Sequence, residues 1–180
     1  TIPGAREAAP LVLDMATTVM AHGKVRVARN KGEKLPEGVL LDGQGQPTID
    51  PEALFSEPPG ALRPVGTYKG YGLALVNELL AGILSGGGTC RPETHHENDT
   101  ILNNMFSVIL DPNRFVDSEY FQSELDLTVT HVTSSPPMNP AEPVLIPGDP
   151  ERANASKRKV AGIPIDTNSW ALVVNTAESV

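Results

Sequence analysis

An α/β (α+β) fold is what three features of the chain predict. Short apolar runs at residues 10–15 and 105–110, each bounded by polar turn residues, have the length of buried strands. Residues 71–85 and the stretch after Asp117 carry apolar side chains at helical spacing. Residues 33–66, by contrast, are dense in Pro and Gly, which excludes long regular elements there.

The first strand holds Leu11, Val12 and Leu13, with Asp14 as its polar end. Residues 16–30 follow as a helix, with Thr17 or Asp14 available to cap it and Lys31-Gly32 able to close it through a left-handed glycine. Gly23 weakens this helix without forbidding it. The tract after it contains Leu35-Pro36-Glu37-Gly38, Asp42-Gly43-Gln44-Gly45 and Pro58-Pro59-Gly60 and reads as a surface excursion. Such a segment inside a compact domain is more often functional or interface-forming than idle.

In residues 71–85, Leu73, Val76, Leu80, Ile83 and Leu84 form a stripe that Leu75 and Leu79 widen and Gly86-Gly87-Gly88 ends. A largely buried helix is predicted. Asp111-Pro112 stops the run at 105–110, and Asp117 caps a helix with Phe121, Leu125, Val129 and Val132 on one face. Asp149-Pro150 reads as an N-cap and first-position proline, opening a charged helix that runs from Glu151 towards Val160 with Gly162 beyond it. Asp166 can cap a last segment with Trp170, Leu172 and Val173, where Val173-Val174 leaves strand and helix open.

The 180 residues suffice for one domain, or one domain plus a helical appendage. With 39% hydrophobic and 20% charged residues, the composition is that of a globular chain rather than a disordered one. Twenty-two acidic residues against 14 basic ones, with no Lys/Arg cluster, disfavour a nucleic-acid partner. No apolar run approaches a bilayer crossing, and Thr1-Ile2-Pro3-Gly4 lacks the marks of a signal peptide, so no membrane partner and a cytoplasmic setting are expected. The single cysteine, Cys90, cannot form an intramolecular disulfide. The non-Met start so close to a core-like strand suggests a piece of a longer protein.

Phosphate-gripping loops of the usual kinds are missing. Gly43-Gln44-Gly45 and Gly70-Tyr71-Gly72 lack the third glycine of the dinucleotide fingerprint, and no Gly-Lys-Ser/Thr closes a P-loop. Residues 67–72 open a helix, so unpaired N–H groups and Lys69 could cradle an anion; equally, Gly70 and Gly72 could merely relieve crowding where the helix enters the core. His95, His96 and Asp99 are metal-ligand types, and metal-dependent hydrolysis is one reading of them. Adjacent ligands on a loop lack the i, i+4 geometry of a helical zinc pair, so a solvated loop is expected and no metal site is assigned. His22 and His131 read as surface or satisfied helix residues, and Cys90 has no identifiable base beside it.

Several segments together resemble one family. They are Leu13-Asp14-Met15-Ala16-Thr17-Thr18, Gly32-Glu33-Lys34-Leu35-Pro36-Glu37-Gly38, Asp42-Gly43-Gln44-Gly45-Gln46-Pro47-Thr48 and Tyr68-Lys69-Gly70-Tyr71-Gly72-Leu73-Ala74. Asn103-Asn104-Met105-Phe106, Asp111-Pro112 and Leu145-Ile146-Pro147-Gly148-Asp149-Pro150-Glu151 follow. Each is weak alone, but in this order they resemble the NAD(P)-dependent malate/L-lactate dehydrogenases of the second type. That family includes ureidoglycolate, sulfolactate, diketogulonate and cyclic-imino-acid oxidoreductases.

The resemblance implies NAD or NADP as cofactor, held by a mainly antiparallel sheet flanked by helices, a non-Rossmann nicotinamide-binding fold with C-terminal helices. Residues 1–132 would be the cofactor-binding domain, lacking its N-terminal part, and 133–180 a C-terminal helical segment. The cofactor-lining stretch maps to Asp14, Met15, Ala16, Thr17, Thr18, Val19, Met20 and Ala21, with His22 directly after it. The family's Lys-Gly pair maps to Lys69 and Gly70, and its late loop to Gly148, Asp149 and Pro150, where Glu often replaces Asp149. The family's proton-donating histidine and a substrate-anchoring arginine precede the first of these motifs. No residue here matches them, so no catalytic residue is assigned.

Hydride exchange with a small 2-hydroxy or 2-oxo acid such as malate or lactate is the activity implied, with this chain as the cofactor-binding portion and inactive alone. The intact enzyme is expected to be a homodimer. The contrasting expectation is a non-catalytic structural or dimerisation module, built on exposed strand edges and apolar patches. The choice between NAD and NADP stays open, because Lys31, Glu33 and Lys34 put both charge signs in one loop.

Overall fold

The computed structural model describes residues 1–5, 8–91, 93 and 103–179, and the chain folds into two compact units. One comprises Thr1–Met15 and Val108–Pro164, the other Ala16–Ser107 and Ile165–Val180. Helices and a small antiparallel sheet make up the regular structure.

The core of the second unit is small. Val25 and Leu40 are fully buried, Leu35 and Val39 lie beside them, and Met20, Ala28, Phe55 and Leu62 pack around the cluster. Helix α1 (His22–Lys31) contributes Val25 and is clamped to the 3₁₀ turn Pro51–Phe55. Arg29 donates two hydrogen bonds to the Glu52 carboxylate, at 2.6 and 2.7 Å, and its guanidinium carbon sits 4.6 Å from the centre of the Phe55 ring. The His22 ring meets the same phenyl edge-on at 5.5 Å.

Helix α1 ends at Gly32 (φ 68°), as predicted, and the Gly32 and Glu33 N–H groups cover the Arg29 and Ala28 carbonyls. It begins at His22 rather than residue 16, and neither Thr17 nor Asp14 caps it. The backbone of residues 17–19 is already committed to residues 63–65, which holds it extended.

Strands β1 (Leu40–Leu41), β2 (Pro47–Thr48) and β3 (Ala61–Leu62) pair antiparallel in the order β2-β1-β3, with Leu40 opposite both Thr48 and Leu62. The turn between β1 and β2 is held by Asp42, whose carboxylate accepts from the Gln44 and Gln46 N–H groups, each at 2.9 Å. Residues 33–66 therefore hold no long element, as predicted, but they are not a surface excursion. Leu35, Val39 and Leu40 from this tract join Val25 in the core. Pro and Gly set the turns, and the apolar residues between the turns converge.

Helix α2 (Tyr68–Glu78) continues through a π-helical turn, Leu79–Ile83. The predicted burial is overturned: the buried residues of these elements are Gly70 and Gly82, while Val76 and Ile83 are 50% and 59% exposed. No described element covers the apolar stripe. Helix α5 (Thr167–Glu178), the helical outcome for the ambiguous last segment, starts at Asp166, whose carboxylate accepts from the Ser169 N–H at 2.9 Å. It meets α1 through the Asn30 amide, which donates to the Ser169 hydroxyl at 3.1 Å.

In the first unit, the predicted strand at 10–15 is reduced to a bridge. Leu11 and Ile2 exchange hydrogen bonds at 2.9 and 3.0 Å, and the Val12 N–H donates to the Pro147 carbonyl at 3.0 Å. The run at 105–110 forms no strand, and Ile109 is 93% exposed. An apolar run states a demand for burial, but a strand also needs a partner in register. Helix α3 (Ser118–Thr133) is capped by Asp117 as predicted, its carboxylate accepting from Glu119 at 2.9 Å and Tyr120 at 3.2 Å. Phe121, Leu125 and Val129 on its predicted face are half-buried, and Val132 is exposed. Helix α4 (Asp149–Ala161) takes Gly148, not Asp149, as its N-cap, and stops at Gly162.

Truncating Leu40, at the centre of the small core, is expected to cost about 3 kcal/mol in Leu40→Ala. Met138→Ala, at a fully exposed position, is expected to stay within about 0.5 kcal/mol of the parent. Urea denaturation of both variants checks the contrast, and similar midpoints would place the core elsewhere.

Candidate functional site

The residues singled out by sequence are distributed over both units. Asp14, Met15, Gly148, Asp149 and Pro150 belong to the first; residues 16–22, Lys69 and Gly70 belong to the second.

In the second unit, three segments are knitted by backbone hydrogen bonds. The Val19 N–H donates to the Arg63 carbonyl and the Val65 N–H to the Thr17 carbonyl, both at 2.9 Å. The Gly70 N–H then donates to the Val65 carbonyl at 2.8 Å, so the first turn of α2 lies against this bridge. Gly70 is buried, and a β-carbon on it would sit 2.3 Å from the Val65 oxygen and 2.8 Å from that of Thr17. Relief of crowding therefore accounts for this glycine. Open N–H donors at Lys69 and Gly70 do not occur, because the Lys69 N–H donates to the Gly66 carbonyl at 3.2 Å. What the helix end still offers is the exposed Lys69 side chain, which has no ion-pair partner among the described residues.

Thr67 makes this turn possible at a cost. Its φ of 54° and ψ of −110° place a β-branched residue at the first central position of a turn closed by the Gly66–Lys69 hydrogen bond, a conformation that favours glycine.

A groove of about 330 Å³ borders the same stretch, between Met20 and the first two turns of α1 on one side and residues 33–36 on the other. Met20, Val27, Ala28, Leu35 and Pro36 give it apolar walls, and Lys24, Glu33 and Lys34 bring charge to it. Lys34 lies 3.4 Å from the Asp50 carboxylate. The Glu52 N–H first, and Lys34 next among the stabilising contacts, hold the Asp50 carboxyl below the usual carboxylate range.

In the first unit, Gly148 (φ 102°) is buried, and a β-carbon on it would lie 2.7 Å from the Arg152 guanidinium and 3.3 Å from the Val12 nitrogen. Asp149 accepts from the Ile146 N–H at 3.0 Å and pairs with Arg152, which in turn donates to the Pro10 carbonyl at 2.9 Å. The Ile146 N–H above all, and then the Arg152 guanidinium, hold the Asp149 carboxyl below its ordinary range. Arg152 was not foreseen as part of this group. Its three-residue spacing from Asp149 on a charged helix was the available signal.

His95, His96 and Asp99 lie outside the described residues. Among those described, no group of three His, Cys, Asp or Glu is placed to hold a metal ion, and Cys90 is exposed. His22 packs on Phe55, and His131 lies in the last turn of α3.

The malate/L-lactate dehydrogenase family model matches residues 1–173. The chain is 41% identical to an L-lactate dehydrogenase of Cupriavidus necator over 148 residues, covering 82% of this chain and 42% of that protein. With hydroxycarboxylate dehydrogenase B of Escherichia coli it shares 37% identity over 172 residues, covering 95% of this chain and 47% of the relative. A solved structure of a candidate malate/lactate dehydrogenase from Escherichia coli superimposes with a TM-score of 0.81 at 31% identity, over 97% of this chain and 48% of that one. The chain thus spans less than half the length of these relatives.

Two outcomes are expected from the local geometry. Thr67→Gly should stabilise the protein by roughly 1 kcal/mol, strain relief outweighing glycine's extra unfolded-state entropy, while Gly70→Ala should destabilise it by roughly 2 kcal/mol or more. Thermal unfolding of the pair tests this, and a destabilised Thr67→Gly would count against strain. For Asp149, a lowered folded-state pKa means stabilisation that is fully present above the ordinary carboxyl pKa of about 4 and is lost as pH falls through the lowered value. Asp149→Asn should therefore flatten the acid limb of the melting temperature against pH, and an unchanged limb would remove Asp149 from the acid response.

Proposed function

This chain belongs to the malate/L-lactate dehydrogenase family, and from that membership we propose that it is the cofactor-binding part of an oxidoreductase. The enzyme would move a hydride between NAD or NADP and a small 2-hydroxy or 2-oxo acid such as malate or lactate. The observation that carries this reading is the family match over residues 1–173, reached in sequence order by motifs that are individually weak.

The residues assigned to the cofactor are 14–22, Lys69, Gly70 and 148–150. Their chemistry suits a dinucleotide: an exposed ammonium at a tightly packed helix end, and beside residue 20 a groove with apolar walls and lysines. When bound, the nicotinamide supplies the hydride chemistry. The chain's own task is to bind and orient it, with Lys69 offsetting phosphate charge and the backbone ties around Gly70 keeping that lysine in place. A non-Rossmann cofactor fold is supported by the two-glycine stretches at 43–45 and 70–72, which lack the dinucleotide fingerprint. By role, residues 1–132 serve cofactor binding and 133–180 form a C-terminal helical segment, in a homodimeric, cytoplasmic enzyme. No proton-transfer role falls to His22 or His131.

A second reading has one observation in its favour. Val76, Ile83 and Ile109 are at least half exposed, as in a chain that supplies a structural or dimerisation surface without catalysis.

Fluorescence titration of NADH and NADPH into the 180-residue chain separates the two, run beside turnover assays with malate and lactate. Saturable binding of at least one nucleotide is expected, without turnover by these residues alone. If neither nucleotide binds, the cofactor reading fails and the structural one takes its place.

A further inference from the structure

We propose that the groove beside α1 receives the adenosine end of the dinucleotide, and that Lys24 in it selects the 2′-phosphate of NADP over the bare ribose of NAD. The inference rests on the nicotinamide reading above and names which of the two cofactors the chain takes.

Shape and lining come first. At about 330 Å³ the groove lies within the usual range for small-molecule sites. Met20, Val27, Leu35 and Pro36 offer a flat apolar group somewhere to lie, and the charged side chains suit a phosphate attached to it. Gly23 leaves its part of the wall open, because a β-carbon there would meet nothing within 4 Å. The groove is also continuous with residues 14–22 through Met20.

Charge decides between the two cofactors. Lys24 has no ion-pair partner among the described residues, so its ammonium is available to a ligand. Lys34 is held only by Asp50, 3.4 Å away, with both side chains more than half exposed. A surface pair of that kind is worth little and exchanges easily for a phosphate. Glu33 works in the other direction, since a carboxylate repels phosphate and suits a ribose hydroxyl. Asp50 offsets Lys34 and Glu33 stands in the lining, so the ammonium left for a ligand is that of Lys24. A phosphate monoester carries about −1.5 to −2 charge near neutral pH, whereas the hydroxyl it replaces carries none. The Lys24 ammonium therefore acts on NADP and hardly on NAD.

Calorimetric titration of the chain with NADPH, NADH, 2′,5′-ADP, 5′-ADP and inorganic phosphate tests the proposal. NADPH is expected to bind on the order of tenfold tighter than NADH, and 2′,5′-ADP tighter than 5′-ADP by a similar factor. Lys24→Ala, at an exposed position, should remove most of both differences while moving the NADH constant less than about twofold. Glu33→Gln should tighten NADPH. Unequal affinities that survive Lys24→Ala overturn the role of Lys24 and leave the dehydrogenase reading intact. Tighter NADH binding that weakens in Glu33→Gln overturns the preference in favour of ribose recognition by Glu33. Inorganic phosphate binding as well as 2′,5′-ADP does would reduce the groove to an anion patch, and binding of neither nucleotide removes this proposal together with the reading beneath it.

Discussion

The first turn of α2 can lie on the backbone of Val65 and Thr17 only because position 70 has no side chain. Any larger residue would drive a carbon to 2.3 Å from a carbonyl oxygen, so one of the three segments would have to move. With Gly70 in place, residues 17–19 are held extended against residues 63–65. That commitment delays the start of α1 to His22, and α1 then carries Val25 into the cluster with Leu40. The placement of Lys69 follows from the same close approach.

Features governed by local chemistry were legible in the sequence. Asp117 and Asp166 cap the helices they were expected to cap, and Gly32 closes α1 in the left-handed conformation. These outcomes depend on a few neighbouring residues, so a single sequence contains the whole instruction. The apolar runs at 10–15 and 105–110 carried only half of theirs. They specify burial, while strand formation depends on a distant partner, which is Ile2 and Pro147 in one case and is not found among the described residues in the other. The tract at 33–66 was misread for a related reason. Its turn residues are conspicuous, and the spacing that brings Leu35, Val39 and Leu40 together is visible only once the turns are folded.

The sequence names a set of segments as the candidate site, but it does not show their hydrogen bonding. Sequence suggested open N–H groups at the start of α2, yet those of Lys69 and Gly70 are occupied by the Gly66 and Val65 carbonyls. Arg152, absent from the sequence-based set, turned out to join Asp149 to the Pro10 carbonyl. The Arg152 contact has a plain origin: its acceptor lies 142 positions away, and chain spacing predicts an acceptor only within a turn or two.

Neither compact unit is continuous in the chain, and this bears on how the protein is made. Arg152 reaches the carbonyl of Pro10, 142 positions earlier, and Asn30 waits for Ser169, 139 positions later. At a ribosomal elongation rate of about 5–20 residues per second, residues that far apart emerge roughly 7 to 28 seconds apart. Pro10 and Asn30 must spend that interval without these contacts. Nascent-chain protection by a chaperone at the tunnel exit would act on just this window.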